Sequence, residues 1–229
     1  KESMKLSVIM PVYNERRTIE QILSMVRAVP IEKEIIVVDG DSTDGTREIL
    51  KQQEKFEDTK VIYEHCRKGR GYAQKEGIKA ATGDIIIFQD ADLELDPTQY
   101  PELLKPIMEG KAQVVFGSRF LQGKPQMTFL QYWGNRVINI MVNLLYGVHL
   151  TDVETCYQVF PRQAIQNITI QSNRFAFTVE LTVKLIKKGL TILEIPIRYK
   201  PRSRKEGKKL YWGDGFASLY TLVKYRFFK

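Results

Sequence analysis

The sequence predicts an α/β fold built on a mainly parallel central sheet flanked by helices. Through the first 120 residues, short β-branched runs alternate with helical patterns, and the runs are apolar almost without interruption. Polar and turn-forming residues gather at the carboxyl ends of those runs, where open sheets of this class bind their ligands.

The predicted strands are Leu6–Val12, Glu34–Asp39, Lys60–Glu64, Asp84–Phe88 and Gln113–Phe116. Continuous apolar character suits strands covered on both faces, and strand–helix alternation implies right-handed crossovers between parallel neighbours. Helical patterns fill the gaps at Glu15–Ala28, Asp44–Glu54, Tyr72–Ala81 and Pro97–Glu109. Asp44 is placed to cap the second helix, and Pro97 suits the first turn of the fourth. The second half changes character. A long helical pattern runs from Thr128 to about Val148, an irregular stretch follows, and another helix spans Phe175–Lys188. Thr191–Tyr199 alternates as a strand, Lys200–Lys209 is a basic loop, and a final helix begins near Asp214. Without an internal repeat or low-complexity linker, residues 1–229 are expected to form one domain.

A hydrophobic content of 43% and a charged content of 27% describe a globular chain and exclude a disordered one. The net charge of +8 favours anionic partners: phosphates, anionic lipid or nucleic acid. No nucleic-acid-binding motif accompanies that charge, so no nucleic-acid partner is expected. Cys66 and Cys156 lie far apart without metal-ligand spacing, which argues against a disulfide framework or zinc site and suits a reducing compartment. No signal peptide is visible, and Met4 is the expected native start, with Lys1-Glu2-Ser3 a remnant ahead of it. No run approaches the roughly 18 to 20 apolar residues of a membrane span. A soluble or peripheral chain is therefore expected, or a piece cut from a longer membrane protein.

The strand ends carry the chemistry. Asp90-Ala91-Asp92 follows the most apolar strand, and a turn there would let the two carboxylates converge. Hard oxygen ligands of this kind suit Mg²⁺ or Mn²⁺, with Glu94 a possible third, and a divalent ion neutralises a departing diphosphate. The competing reading is a solvated acidic loop running Asp90, Asp92, Glu94, Asp96. Asp39 ends the second strand, and its carboxylate could accept from the N–H groups of uracil or guanine. Plain turn chemistry explains Asp39-Gly40-Asp41-Ser42 equally well. Lys68-Gly69-Arg70-Gly71 precedes a helix, where glycine allows close approach and cations favour a phosphate. It is neither a dinucleotide fingerprint nor a Walker loop.

Taken in order, the motifs resemble a family. PVYNE at 11–15, DGDSTDGT at 39–46, FQDADLELDP at 88–97, GSRF at 117–120, GNR at 134–136, TDVETCYQVF at 151–160, SNRF at 172–175 and EGKK at 206–209 recur together. The chain resembles, over nearly its whole length, the GT2 glycosyltransferases of the dolichol-phosphate mannose/glucose synthase type. That resemblance implies a GT-A fold, an inverting transfer and a divalent metal, Mg²⁺ or Mn²⁺. It divides the chain into a nucleotide-sugar and metal half, about 1–120, and an acceptor half, about 121–229. Pro11, Tyr13, Glu15 and Asp39 match nucleotide-binding positions, joined on the residue reading by Asp41 and Arg70. Asp90 and Asp92 match the metal motif with Glu94 beside them, and Arg119 matches an arginine facing the phosphates at the transfer centre. Catalysis is accordingly expected at Asp90, Asp92 and Arg119. Departures stand at Gly40, where relatives usually carry an acid, at Gln158, where many carry Lys, and at Ala176, Thr178 and Val179.

The expected donor is a UDP- or GDP-sugar and the expected acceptor a polyprenyl phosphate. A phosphate monoester has a second pKa near about 6, so at neutral pH it needs cations rather than a base. Arg136, Arg202, Arg204 and Lys208 are the candidate acceptor-phosphate groups, with Arg119, Lys205 and Lys209 nearby in type. Transfer to a saccharide or protein hydroxyl would instead require a base or sugar contact, for which Glu180 and Asp152 are the candidates, with Glu154 also acidic. For Glu180, pairing with Lys184 one turn on is the reading a helix glutamate favours. A non-catalytic nucleotide-sugar-binding subunit is the third reading. In Thr128–Val148, Gln131, Asn135, Asn139 and Asn143 form a narrow polar stripe on an otherwise apolar helix. Such a helix lies in a membrane interface, packs on a partner or is buried within the domain. With the aromatic and basic last helix, it places the expected site of action at the cytoplasmic face of a membrane.

Overall fold

The computed structural model describes residues 4–202 and 212–228. One seven-stranded sheet organises them, in the order β3-β2-β1-β4-β6-β5-β7. β1 (Leu6–Val12), β2 (Lys33–Asp39), β3 (Thr59–Tyr63) and β4 (Ile85–Phe88) run parallel. β5 (Val114–Ser118) pairs in parallel with β7 (Ile192–Pro196), and β6 (Gln158–Pro161) lies antiparallel between β4 and β5. One register row crosses the sheet through Thr59, Ile35, Val8, Ile87, Val159, Val115 and Leu193.

Strand periodicity splits the core into two layers. Val8, Met10, Ile35, Val37 and Ile87 face one side, while Ile9, Ile36, Val38, Ile86 and Phe88 face the other. α1 (Ile19–Ala28) covers the first side, burying Ile19, Ile22, Leu23 and Val26 at the i, i+3, i+4, i+7 spacing of a core-facing stripe. α4 (Tyr100–Met108) adds Tyr100, Leu103 and Leu104 to that layer. α3 (Arg70–Ala80) and α6 (Ala176–Lys187) cover the second, with Ala73, Phe177, Leu181 and Leu185. α2 (Thr46–Gln53) follows β2. A third cluster joins α5 (Phe129–Tyr146), α6 and α7 (Trp212–Phe227) through Ile138, Val142, Val179, Val183, Leu222 and Tyr225.

Several boundaries move for local reasons. α1 starts at Ile19 rather than Glu15, because residues 14–18 form a turn tied to the next loop. There Asn14 N–H donates to Ser42 Oγ at 2.8 Å and Glu15 N–H to Thr46 Oγ1 at 3.0 Å. Asp44 does bond the start of α2, accepting from Thr46 N–H at 3.1 Å, although Gly45 is the capping position. A 3-10 turn over Pro97–Gln99 leads into α4, with Asp96 accepting from Thr98 N–H at 3.0 Å. Pro196 ends β7 early, and the next residues cross back to pair Tyr199 with Leu95. β6 lies inside the stretch expected to be irregular.

Candidate active site

The carboxyl ends of β1, β2, β4 and β5 open into one cleft of about 630 Å³. Pro11, Tyr13 and Glu15 line it beyond β1, Gly40 beyond β2, Asp90 and Asp92 beyond β4, and Arg119 beyond β5. Arg70 at the start of α3, Glu94 and Arg202 complete the predicted residues found there.

Asp90 Oδ1 accepts from Arg70 Nε at 3.0 Å and Nη2 at 2.8 Å. Asp92 Oδ2 meets Arg202 Nη2 at 3.1 Å, and its Oδ1 accepts the Glu94 N–H at 3.1 Å. Just after Asp92, the turn holds Leu93 at φ 62°, a left-handed conformation that costs a non-glycine residue on the order of 1 kcal/mol. That turn bends the chain so that two carboxylates two residues apart share the cleft. Burial, reinforced by Asp90 and Glu94, pushes the Asp92 carboxyl up to about 7, against the pull of Arg202. Three acids crowded in this way repel one another even with Arg70 and Arg202 beside them, which is the electrostatic condition a divalent cation relieves. Glu94 is differently engaged. Its carboxylate accepts from Tyr199 Oη at 3.1 Å and Arg202 N–H at 2.7 Å. Among the described residues no three acidic, His or Cys side chains are gathered to hold an ion by themselves. The donor set fits Mg²⁺ or Mn²⁺ in the manner of ions that take one or two carboxylates and complete their shell with substrate phosphate and water. Asp90 and Asp92 would hold it.

Asp39 lies beneath the cleft rather than along it. It is fully buried, and its Oδ2 accepts from Arg47 Nε at 2.6 Å and Ser42 N–H at 3.2 Å. Its Oδ1 has no hydrogen-bond partner among the described residues. Arg47 also reaches Asp41 Oδ1 at 3.4 Å, so the acid shifted to position 41 shares a cation with Asp39. Asp41 itself sits at φ 67° and does not line the cleft. Tyr13 faces the cleft with the Arg67 guanidinium 4.0 Å from its ring centroid. Glu15 binds Arg202 through two contacts, at 2.7 and 3.1 Å.

Arg119 is held by Asp152. The buried carboxylate accepts from Arg119 N–H at 2.9 Å, Nε at 2.7 Å and Nη2 at 2.7 Å. Glu180 is buried on α6 and away from the cleft. It accepts from Gln171 and Ser172 N–H at 2.8 Å each, Lys184 Nζ at 2.5 Å and Tyr225 Oη at 2.7 Å. A base role for either acid finds no support in this geometry, because each is committed to internal donors. Glu154 does line the cleft, where Ser218 Oγ donates to it at 3.0 Å. Arg136 is half-buried on α5 outside the cleft. Arg204 and Lys208 lie outside the described residues.

The sequence profile of "Glycosyl transferase family 2" matches residues 7–169, a span that includes all four strand ends of the cleft. The chain belongs to that family. Curated relatives include the low-salt glycan biosynthesis hexosyltransferase Agl6 of Haloferax volcanii, 32% identical over 86% of this chain and 48% of its own length. Glycosyltransferase AglJ of the same organism is 29% identical, over 85% of this chain and 63% of its own length. A dolichol-phosphate mannosyltransferase of Pyrococcus furiosus is 30% identical over 97% and 64%. This chain thus spans about half to two-thirds of the length of those relatives. Among solved structures, glucosyl-3-phosphoglycerate synthase from Mycobacterium tuberculosis, crystallised with Mn²⁺, UDP and phosphoglyceric acid, superposes with a TM-score of 0.76. It is 18% identical and covered over 80% of its chain by 99% of this one. The same enzyme with Mg²⁺ and UDP gives 0.75 at 19% identity. The fold is the GT-A type.

Two motifs of this family 2 chain work differently from their sequence reading. A Cβ on Gly69 would meet Asn173 O at 2.5 Å, and one on Gly71 would meet Phe177 Cβ at 2.6 Å and Arg174 O at 2.7 Å. Those glycines admit the 173–177 segment, and Asn173 O accepts the Tyr72 N–H at 2.9 Å. The polar stripe of α5 points inward. Asn143 bonds both backbone groups of Leu150, Asn139 bonds Thr151 O and Val153 N–H, and Asn135 accepts from Arg119 Nη2 at 3.1 Å. Gln131 closes a capping box with Thr128. Gln158 is buried against Thr182 Oγ1 at 3.1 Å, so that departure alters the core rather than the cleft. Arg47 and Arg67 went unnoticed in the sequence, since nothing local links either to residues eight and more than fifty positions away.

Proposed function

We propose that this chain carries out inverting, metal-dependent transfer of a hexose from a UDP- or GDP-sugar to a polyprenyl phosphate. The observation that carries this reading is that one cleft gathers the carboxylates Asp90 and Asp92, the cation Arg119 and the start of α5. The nucleotide would enter along Pro11 and Tyr13, with its diphosphate towards Asp90 and Asp92. A divalent ion bound there supplies charge compensation for the departing diphosphate. An acceptor phosphate oxygen attacks the anomeric carbon from the face opposite the leaving oxygen. The new C–O bond forms as the C–O bond to the diphosphate breaks, and configuration inverts. No proton need be taken, because the attacking phosphate is already ionised. Arg119, fixed by Asp152, offers the positive charge that orients it, and Arg202 lies within reach of the same cleft.

The relative acting on dolichol phosphate supports the lipid acceptor, and the UDP and Mn²⁺ of the structural neighbour support the donor and metal classes. The outer surface supports a membrane-facing acceptor side. Phe129, Leu144 and Phe216 are 78, 76 and 74% exposed, and Trp133 and Tyr220 are exposed beside them. α5 thus lines the cleft with Thr128, Leu130 and Gln131 while presenting apolar side chains outward. Lys224 and Arg226 on α7 add the charge that anionic lipid attracts. Among the described residues, no helix is long and apolar enough to cross a membrane.

Incubation with radiolabelled UDP- and GDP-hexoses, Mn²⁺ and short-chain polyprenyl phosphate should give an organic-soluble glycolipid, and EDTA should prevent it. Activity undiminished in EDTA would sink the metal role. Glu154 in the cleft favours a second reading, transfer to a hydroxyl with Glu154 as base. If lipid phosphate fails as acceptor and Glu154→Gln abolishes transfer to a saccharide, that second reading takes over.

A further inference from the structure

We propose that Glu194, on β7, is the positioning residue that aligns the Arg119–Asp152 pair, acting on both partners at once. Its carboxylate sits behind the pair and receives three donors. Oε2 accepts the Thr151 N–H at 2.8 Å and the Thr151 hydroxyl at 2.8 Å, and Oε1 accepts the Asp152 N–H at 2.9 Å. Each donor belongs to the two-residue segment that carries the Asp152 carboxylate to Arg119.

A second route reaches Arg119 itself. Ser118, its chain neighbour, lies 2.6 Å from the Thr151 hydroxyl, and Ser118 Oγ accepts the Phe120 N–H at 3.2 Å. Since the Thr151 proton is given to Glu194, Thr151 Oγ1 accepts from Ser118. The donors then run in one direction, Phe120 N–H to Ser118 to Thr151 to Glu194, and the carboxylate is the acceptor on which the series ends. From the other side, Asn139 and Asn143 hold the same segment against α5, so Glu194 supplies the sheet-side half of its support. Arg119 makes no hydrogen bond through Nη1 among the described residues, while Nε and Nη2 are fixed by Asp152 and Asn135. The clamp therefore decides where one guanidinium edge meets the cleft. An amide cannot replace the carboxylate, because its NH₂ would face N–H and O–H donors.

This inference rests on the proposed transferase reading only for its kinetic test. Glu194→Gln should lower metal-dependent turnover about tenfold, the scale of a slightly misplaced catalytic group. The same substitution added to Arg119→Ala should cause no further loss, since the effect passes through Arg119. Thr151→Val, which removes the hydroxyl route alone, should give a smaller loss, likewise absent in the Arg119→Ala background, and serves if Glu194→Gln does not fold. An equal loss in both backgrounds, or full activity in Glu194→Gln, overturns the proposal. A second readout needs no turnover. The Arg119 Nε–H resonance, identified by its absence in Arg119→Lys, should shift and exchange faster with water in Glu194→Gln or Thr151→Val. If that resonance is unchanged in the folded variants, the proposal fails whatever the substrate. If no donor or acceptor turns over, the transferase reading fails while the resonance still judges Glu194.

Discussion

Asp152→Asn separates two roles for a buried acid that the sequence alone leaves open. In the folded protein the carboxylate is shielded from solvent and accepts three hydrogen bonds from Arg119, two of them from the guanidinium at 2.7 Å. Asparagine keeps the shape but offers one acceptor oxygen, and its NH₂ group confronts a guanidinium donor. The Arg119 cation, mostly shielded from solvent where it lines the cleft, is then left without its counter-charge. Removing one partner of such a pair costs roughly 3 to 5 kcal/mol. For a chain of this size each kcal/mol moves the melting temperature by about 2 to 4 °C, so a fall of roughly 6 to 20 °C is expected. Differential scanning calorimetry measures it directly. Donor turnover should fall as well, because Arg119 loses its orientation. A variant with wild-type melting temperature and no turnover would refute this reasoning and return Asp152 to the role of base.

Two further outcomes follow from the geometry. Burial raises the Glu180 carboxyl, but hydrogen bonds from Lys184, Ser172 and Gln171 outweigh it and bring its pKa from 4.5 down to about 2. A depressed folded-state pKa contributes stability that is complete above pH 5 and lost as pH falls towards 2, on the order of 3 kcal/mol here. Urea unfolding at pH 6 and pH 3 should show a larger acid loss in the wild type than in Glu180→Gln, and equal losses would contradict it. Gly71→Ala should weaken the packing of residues 173–177 on α3, destabilise the protein by about 1 to 3 kcal/mol and loosen nucleotide binding through Arg70. Unchanged stability would mean that the segment yields without cost.

Much of the fold is legible in local pattern. β1, β2, β4 and β5 announce themselves as largely apolar runs such as Ile85-Ile86-Ile87-Phe88, because a strand covered on both faces leaves few positions for polar residues, whereas edge strand β3 carries the exposed Lys60. β6 does not. Its four residues end in Pro161, and only its place between β4 and β5 makes them a strand. Helix starts shift wherever a site loop intervenes, as at Asn14–Thr18. The acidic part of the cleft is legible because Asp90, Asp92 and Glu15 sit at strand ends, positions that topology brings together. Side-chain commitments are not. Asp152 reads as a free acid until Arg119 is seen beside it, Glu180 shows its Lys184 partner but not Tyr225, and Glu194 reads as one alternation in an edge strand. The asparagine stripe of α5 has the spacing of a solvent face yet serves the 150–153 turn. Local pattern distinguishes polar from apolar, whereas the partner of a polar group is decided by chain crossings dozens of residues away.

Asp90 and Asp92 are proposed to hold a divalent ion that binds the nucleotide diphosphate. Isothermal titration of UDP and GDP into the wild type and Asp92→Asn, each with Mn²⁺ and with EDTA, tests it most directly. One nucleotide should bind the wild type in Mn²⁺, weaken at least tenfold in EDTA, and show the same weakened affinity in Asp92→Asn with or without the ion. Equal affinity in Mn²⁺ and EDTA, or an Asp92→Asn variant that still gains affinity from Mn²⁺, would contradict it.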